Sequence, residues 1–158
     1  PQSFHGTQVG IACGLVRPLF GAVAQLNKEQ VVKAVSLPPS EPDPDSNGFS
    51  EWINERHPDL GEQSRPKVEA EARIKYNRDA RLAQRKGLAD NWPLIQREVE
   101  KAFEHAQKID RGLIDSGAPR MPQDIGVKQS ESDRILSVCR DIRNRHTILD
   151  LAADLLGH

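Results

Sequence analysis

The apolar residues of this chain recur every three or four positions, which is the spacing of amphipathic helices, and no segment alternates as a strand would. The first such pattern predicts a helix that begins at an N-cap, Ser3, and ends near Leu26. Pro18 should kink or interrupt this helix, because proline lacks the amide donor and crowds the preceding turn. The apolar face of the helix carries His5, Val9, Ala12, Val16, Leu19 and Val23.

Further helices are predicted downstream, separated by turns and loops. They cover about 28–37, 49–56, 65–86, 91–116 and 130–144. A last helix follows a capping box formed by Thr147 and Asp150. The segment 38–48 is rich in proline and acidic residues and should be an exposed loop. The pattern therefore predicts an all-α fold, a bundle of six or seven helices that forms one unit over residues 1–158.

Two of the later helices carry predicted core faces. One face of the helix predicted over 91–116 carries Trp92, Ile95, Val99, Ala102, Ala106, Ile109 and Leu113. The helix over 130–144 should turn Ile135, Cys139 and Ile142 inward. Packing against other helices is the expected role of both faces.

Three glycines recur at every fourth position of the first helix, as Gly6, Gly10 and Gly14. Each glycine weakens a helix by roughly 1 kcal/mol relative to alanine. The stripe therefore indicates that something packs very close to the backbone. A neighbouring helix and a bound ligand or cofactor are both compatible with it.

Composition narrows the classes of function. The chain has 22 lysine and arginine residues against 23 aspartate and glutamate residues, for a formal net charge of -1. This balance provides no long-range attraction to nucleic acid or to an anionic membrane. Arg17 lies within the first apolar helix and argues against a membrane span. Cys13 and Cys139 lack CxxC spacing, which indicates reduced core thiols of a cytoplasmic protein.

His5 is the first candidate for chemistry, because an imidazole on an apolar helix face needs a partner for its ring nitrogens. Leaving such a group buried and unpaired costs about 1–3 kcal/mol. The partner is either a backbone carbonyl, which is the commoner arrangement, or a metal ion. One histidine by itself does not make a metal site.

Two charged segments are the other candidates. The helix over 65–86 has an excess of basic residues, which indicates a solvated helix face or, alternatively, a surface for a phosphorylated ligand or nucleic acid. The segment 140–147 is a dense polar cluster between the last two helices. It either satisfies the ends of those helices or faces a ligand, and the roles of Arg143, Arg145 and His146 stay open.

Both ends of the chain resemble one enzyme family. The opening residues 4–10 read FHGTQVG, which is similar to the His-Gly helix start of the iron-containing alcohol dehydrogenase and glycerol dehydrogenase superfamily. Residues 116–119 read SGAP and residues 141–152 read DIRNRHTILDLA. These segments resemble the glycerol-1-phosphate dehydrogenase branch, including its bacterial AraM-type members. The likeness covers both termini in matching order, whereas 37–85 is not diagnostic.

The resemblance implies which domain of the family's enzymes this chain would correspond to. In that family a Rossmann-like amino-terminal domain binds NAD or NADP, and a helical carboxy-terminal domain supplies an aspartate and two histidines to a divalent metal, usually zinc. The chain would be part of that helical domain of the dehydroquinate synthase-like fold, with the Rossmann-like domain absent. His5 would be one metal ligand, and the other ligands would precede Pro1, where the chain starts as if in mid-protein. His146 stands where relatives often carry tyrosine.

The implied reaction is the reversible reduction of dihydroxyacetone phosphate to sn-glycerol 1-phosphate by NADH or NADPH, with a metal that polarises the carbonyl. The chain alone would be inactive. A glycerol or other polyol dehydrogenase of the same superfamily is one alternative. A helical interaction or nucleic-acid-binding module that uses the basic helix 65–86 is an alternative from another class. The leading interpretation predicts a small phosphorylated substrate, no nucleic acid, no membrane span and a cytoplasmic protein, and it leaves a homo-oligomer open.

Overall fold

The computed structural model describes residues 5–157, and within that range the chain is all-helical and contains no strand. The α-helices are α1 (His5–Ala24), α2 (Lys28–Ser36), α3 (Phe49–Arg56), α4 (Arg65–Lys75), α5 (Arg78–Asp90), α6 (Trp92–Asp115), α7 (Gln129–Val138) and α8 (Ile148–Leu156). Short 3₁₀ turns cover Pro122–Ile125 and Cys139–Ile142. The predicted all-α class is confirmed, whereas the predicted N-cap, Ser3, lies outside the described residues.

Two apolar clusters hold the helices together. The larger cluster joins α1, α2, α6 and α8 through the buried side chains of Val23, Val31, Trp92, Val99, Ala152 and Leu155. The smaller cluster joins α3 and α4 through Phe49, Ile53, Ala72 and Tyr76, with Trp52 packed against it. The two clusters share no residue, and the polar contacts described below lie between the helices that carry them.

Helix α1 packs along α6 and α8. The helix continues without interruption through Pro18, which is exposed to solvent, so of the predicted kink or interruption the interruption is absent and the kink stays a prediction. By length and composition alone α1 is apolar enough to cross a membrane. Arg17, in its middle, lies 3.8 Å from the carboxylate of Asp110 on α6.

Two of the three glycines of α1 have close neighbours. A methyl group added at Gly10 would lie 3.2 Å from the side chain of Leu113 on α6, and one added at Gly14 would lie 3.5 Å from the carbonyl oxygen of Arg120. The neighbouring-helix interpretation is therefore confirmed at Gly10. Gly6 has nothing within 4 Å of that position.

This difference makes a matched pair of substitutions. Gly10→Leu should lower the free energy of unfolding by about 1–3 kcal/mol, because the larger side chain overpacks the contact with Leu113. Gly6→Leu should leave the stability unchanged or raise it by up to about 1 kcal/mol, because leucine is the better helix former and the site is open. Urea unfolding of both variants checks the pair. Equal effects at the two positions would contradict the close contact.

The predicted basic helix over 65–86 is wrong as a single element. It is broken into α4 and α5 at Tyr76 and Asn77, and the Asn77 side chain caps α5 by accepting a hydrogen bond from the Ala80 amide at 3.1 Å. Three of its basic side chains, those of Lys75, Arg81 and Arg85, are buried. They therefore do not belong to a solvated face.

The prediction for the helix over 130–144 also needs correction. Helix α7 ends at Val138 and the chain continues as the 3₁₀ turn Cys139–Ile142. Ile135 and Ile142 are 51% and 42% exposed instead of pointing inward, while the charged Arg140 is buried. The change from 3.6 to 3.0 residues per turn rotates the later side chains away from the predicted face.

Candidate functional site

His5 occupies the first position of α1, and its side chain is exposed. No hydrogen bond or ion pair joins the imidazole to another residue within 5–157. The expected burial of His5 on an apolar face, with a carbonyl partner, is therefore wrong. Val9 and Ala12 on the same face are exposed as well. Gly10 and Ile11, on the other side of the helix, are buried, and Gly10 meets Leu113 of α6, so the first half of α1 packs through that side and turns His5 to solvent.

Among the described residues His5 offers at most a single ligand to a metal ion. Within residues 5–157 no group of three or more histidine, cysteine, aspartate or glutamate side chains is placed to hold a metal ion. A catalytic zinc normally takes three protein ligands. His5 can offer one accessible nitrogen, and the remaining ligands would have to come from outside the described part of the chain.

The structure brings a second set of functional groups together in what we call the buried ion cluster. It comprises Glu41, Arg56, His57, Lys75, Arg81, Arg85, Arg140, Asp141, His146, Asp150 and Asp154. These side chains come from the loop after α2, from the end of α3, from α4 and α5, and from the region around α8. The cluster connects the two apolar clusters across the molecule.

Asp141 is the first of three carboxylates at the centre of this cluster, and its side chain is fully buried. It accepts hydrogen bonds from Nε of Arg56 at 2.8 Å and from the Tyr76 hydroxyl at 2.6 Å, and Nε2 of His57 lies 3.1 Å away. Burial raises the pKa of the Tyr76 hydroxyl, which therefore stays protonated and remains a donor.

Asp150 is the second carboxylate, and its two oxygens have different partners. Its Oδ2 accepts the amide of Thr147 at 2.8 Å, which confirms the predicted capping box at the start of α8. Its Oδ1 lies 2.8 Å from Nζ of Lys75. Lys75 also donates to the carbonyl oxygens of Arg140 at 2.5 Å and Arg145 at 3.0 Å, so this lysine fixes the chain between α7 and α8.

Asp154 is the third carboxylate. Arg81 donates to it through two nitrogens, at 3.0 and 2.7 Å, and Arg85 donates at 2.9 Å. His146 lies 3.6 Å from the same carboxylate. Burial alone would raise the pKa of Asp154, but His146, Arg81 and Arg85 together hold this pKa below its usual range.

Some side chains of the segment 140–147 take part in these contacts, and others are exposed to solvent. Arg140 is buried in the cluster, whereas Arg143 and Arg145 have exposed side chains and His146 is half-buried. The contacts of this segment end helices and dock α8, which favours the junction interpretation. His105 lies on the exposed side of α6, away from these contacts.

Sequence reasoning missed most members of the cluster, although one signal was present. Helix α8 is almost wholly apolar and yet carries Asp150 and Asp154 four residues apart, on one face. Arg81 and Arg85 have the same spacing on α5. Two carboxylates in an apolar helix require buried cations, and an arginine pair of equal spacing was the matching set.

Comparison with known proteins adds no family. No family model, no curated protein and no solved structure matches the chain.

Proposed function

We propose that this chain is part of the carboxy-terminal helical domain of a metal- and NAD(P)-dependent sn-glycerol-1-phosphate dehydrogenase. The observation that carries the proposal is the position of His5, an exposed imidazole in the first turn of α1 and directly before Gly6. The resemblance of residues 4–10 and 141–152 to that family supports it. An all-helical bundle is compatible with the dehydroquinate synthase-like arrangement of that domain.

The contributions of this chain follow from its side chains. When bound, the metal would polarise the carbonyl of the substrate and the nicotinamide would exchange a hydride with the carbonyl carbon. His5 would offer one nitrogen to the metal from a helix that α6 and α8 hold in place. The buried ion cluster positions α8 against α4 and α5, and α8 in turn packs on α1.

Steady-state kinetics test the substrate. The protein encoded by the complete reading frame, loaded with zinc, should reduce dihydroxyacetone phosphate with NADH or NADPH. Its kcat/KM for dihydroxyacetone phosphate should exceed that for dihydroxyacetone by at least about 100-fold, because a site built for a phosphate group is left with unpaired donors when the phosphate is missing. Preference for dihydroxyacetone would favour the polyol dehydrogenase alternative. Turnover of neither compound would contradict the proposal.

The nucleic-acid alternative loses much of its motivation. Lys75, Arg81 and Arg85 were part of the basic excess that suggested it, and each is buried against a carboxylate. Lys86 is exposed but lies 2.7 Å from Asp90. Salt-sensitive binding of the chain to nucleic acid at low ionic strength would restore that alternative.

A further inference from the structure

The proline-rich loop after α2 is anchored at both ends and carries one buried acidic residue between the anchors. At one end the carbonyl oxygen of Leu37 accepts a hydrogen bond from Arg85 at 2.8 Å, and at the other the carbonyl oxygen of Pro44 accepts one from Arg73. Glu41 lies between them, with a side chain only 7% exposed. The two anchored ends of the loop therefore hold the Glu41 carboxylate against the helices.

The Glu41 carboxylate lies between Arg140 and Arg81 and forms a hydrogen bond with only one of them. Its Oε1 accepts a hydrogen bond from Arg140. Its Oε2 lies 3.6 Å from Nη2 of Arg81, which is an ion-pair distance without a hydrogen bond. Among the described residues this buried oxygen has no hydrogen-bond partner.

Arg140 depends on Glu41 far more than Arg81 does. Arg81 keeps two hydrogen bonds to Asp154 whatever Glu41 does. The guanidinium of Arg140 has its side-chain hydrogen bond with Glu41, and its buried Nε, 3.3 Å from Asp150, forms none with the residues described. Removal of the Glu41 carboxylate would leave a buried guanidinium available to another anion.

Cavities lie beside this carboxylate, one next to each arginine. One, of about 230 Å³, includes Arg81 in its wall. The other, of about 250 Å³, is lined by Arg140 and also by Ser40, Trp52, Arg56 and Ser137. Glu41 and Tyr76 belong to the walls of both. The Glu41 side chain thus separates the two cavities, and its withdrawal would open space for a ligand beside the two arginines.

The charges of the buried ion cluster indicate what that ligand is. Arg56, Lys75, Arg81, Arg85 and Arg140 carry five positive charges. The facing carboxylates are those of Glu41, Asp141, Asp150 and Asp154, which carry four negative charges. An anion of charge near -2 in place of the Glu41 carboxylate would balance the cluster. A phosphate group has that charge at neutral pH and suits the fork of an arginine.

We propose that the cavity between Arg140, Arg56 and Ser40 binds a phosphate group, free or esterified, and that Glu41 fills the position of this anion when the ligand is absent. The proline-rich loop would release the carboxylate without detaching from Arg85 and Arg73. Phosphate binding would require neither His5, a metal nor a nucleotide. It would hold whether or not the dehydrogenase proposal above is correct.

Titration of the 158-residue chain with inorganic phosphate, at constant ionic strength set with sodium chloride, tests this site. Because Glu41 competes for the site, Glu41→Gln should lower the dissociation constant for phosphate at least about tenfold. Asp45→Asn, on the same loop and exposed, is the matched control and should change nothing. The double variant Glu41→Gln with Arg140→Gln removes both members of the pair and should lose binding.

Equal phosphate affinity in the original chain and in Glu41→Gln would overturn the proposal, and so would an equal gain in the Asp45→Asn control. If Glu41→Gln does not fold, Glu41→Asp supplies the same comparison, because the shorter carboxylate reaches Arg140 less well and competes less. Glycerol phosphate forms a second arm. Tighter binding of the ester than of inorganic phosphate assigns the site to a phosphorylated metabolite, and equal or weaker binding assigns it to free phosphate.

Discussion

Replacement of His5 by alanine in the protein from the complete reading frame should lower kcat/KM for dihydroxyacetone phosphate by at least about 100-fold. Loss of groups that merely support a metal ligand costs about 10- to 100-fold, and loss of the ligand itself should cost no less. The bound zinc per protein should fall in parallel. Elemental analysis of the dialysed protein measures the second effect without reference to turnover.

The surroundings of His5 make this variant easy to interpret. The imidazole is exposed, so His5→Ala should leave urea unfolding within about 0.5 kcal/mol of the original protein. His105→Ala is the control, because His105 is also an exposed histidine on a helix. It should retain both metal and activity. Normal zinc content and turnover in His5→Ala would remove the basis of the proposed function.

The second large effect is expected at Asp154, where Asp154→Asn should lower the free energy of unfolding at pH 7 by about 3–5 kcal/mol. The substitution keeps the size of the side chain but removes the counter-charge to which the buried guanidinium groups of Arg81 and Arg85 donate hydrogen bonds. Asp90→Asn is the control, since the Asp90–Lys86 pair is exposed and should contribute less than about 1 kcal/mol. Urea unfolding measures both variants.

The effect of Asp154→Asn should also depend on pH. The folded-state pKa of Asp154 is lower than its unfolded value, which is about 3.9 for an ordinary aspartate. The carboxylate therefore stabilises the fold above that pH, and this stabilisation is lost as the pH falls through the lower folded value. The stability difference between the original chain and Asp154→Asn should stay constant from pH 7 to about 5 and shrink below about 4. A difference that is already small at pH 7 would show that Asp154 does not anchor the cluster.

The hydrophobic pattern was sufficient for the helices that rest on apolar contacts. The predicted face of α6 is buried at Trp92 and Val99, whereas Ile109 on the same face is 48% exposed. The close approach at Gly10 faces that helix, as the glycine content predicted. The capping box of α8 was visible because Thr147 and Asp150 are local in sequence. Such features need only neighbouring residues, so they can be inferred from the chain alone.

The charged interior was not predictable in the same way. A pattern of polar and apolar positions assigns Lys75, Arg81 and Arg85 to the surface, because a charge is normally solvated. Their burial depends on carboxylates that lie some 70 residues away in the chain, and nothing local specifies that pairing. On either side of the break, α4 and α5 each bring a cation to a carboxylate of α8.

The position of His5 was missed for a different physical reason. Helical periodicity correctly puts it on the face of Val9 and Val23, but periodicity does not show that the first half of α1 packs through its other side, where Gly10 and Ile11 are buried. Val23 is fully buried, whereas Val9 is 47% exposed on the same helix. The buried side of α1 therefore changes along the helix, and His5 lies where the face of Val9 is turned to solvent.

Asp150 takes part both in a local contact at the start of α8 and in a long-range contact with α4. One of its oxygens starts α8 by capping Thr147, and the other holds Lys75 at the end of α4. Formation of the last helix and its attachment to the middle of the chain therefore share one carboxylate and reinforce each other. The carboxy-terminal segment should accordingly order and loosen as a single cooperative unit with the end of α4, rather than fray residue by residue from its terminus.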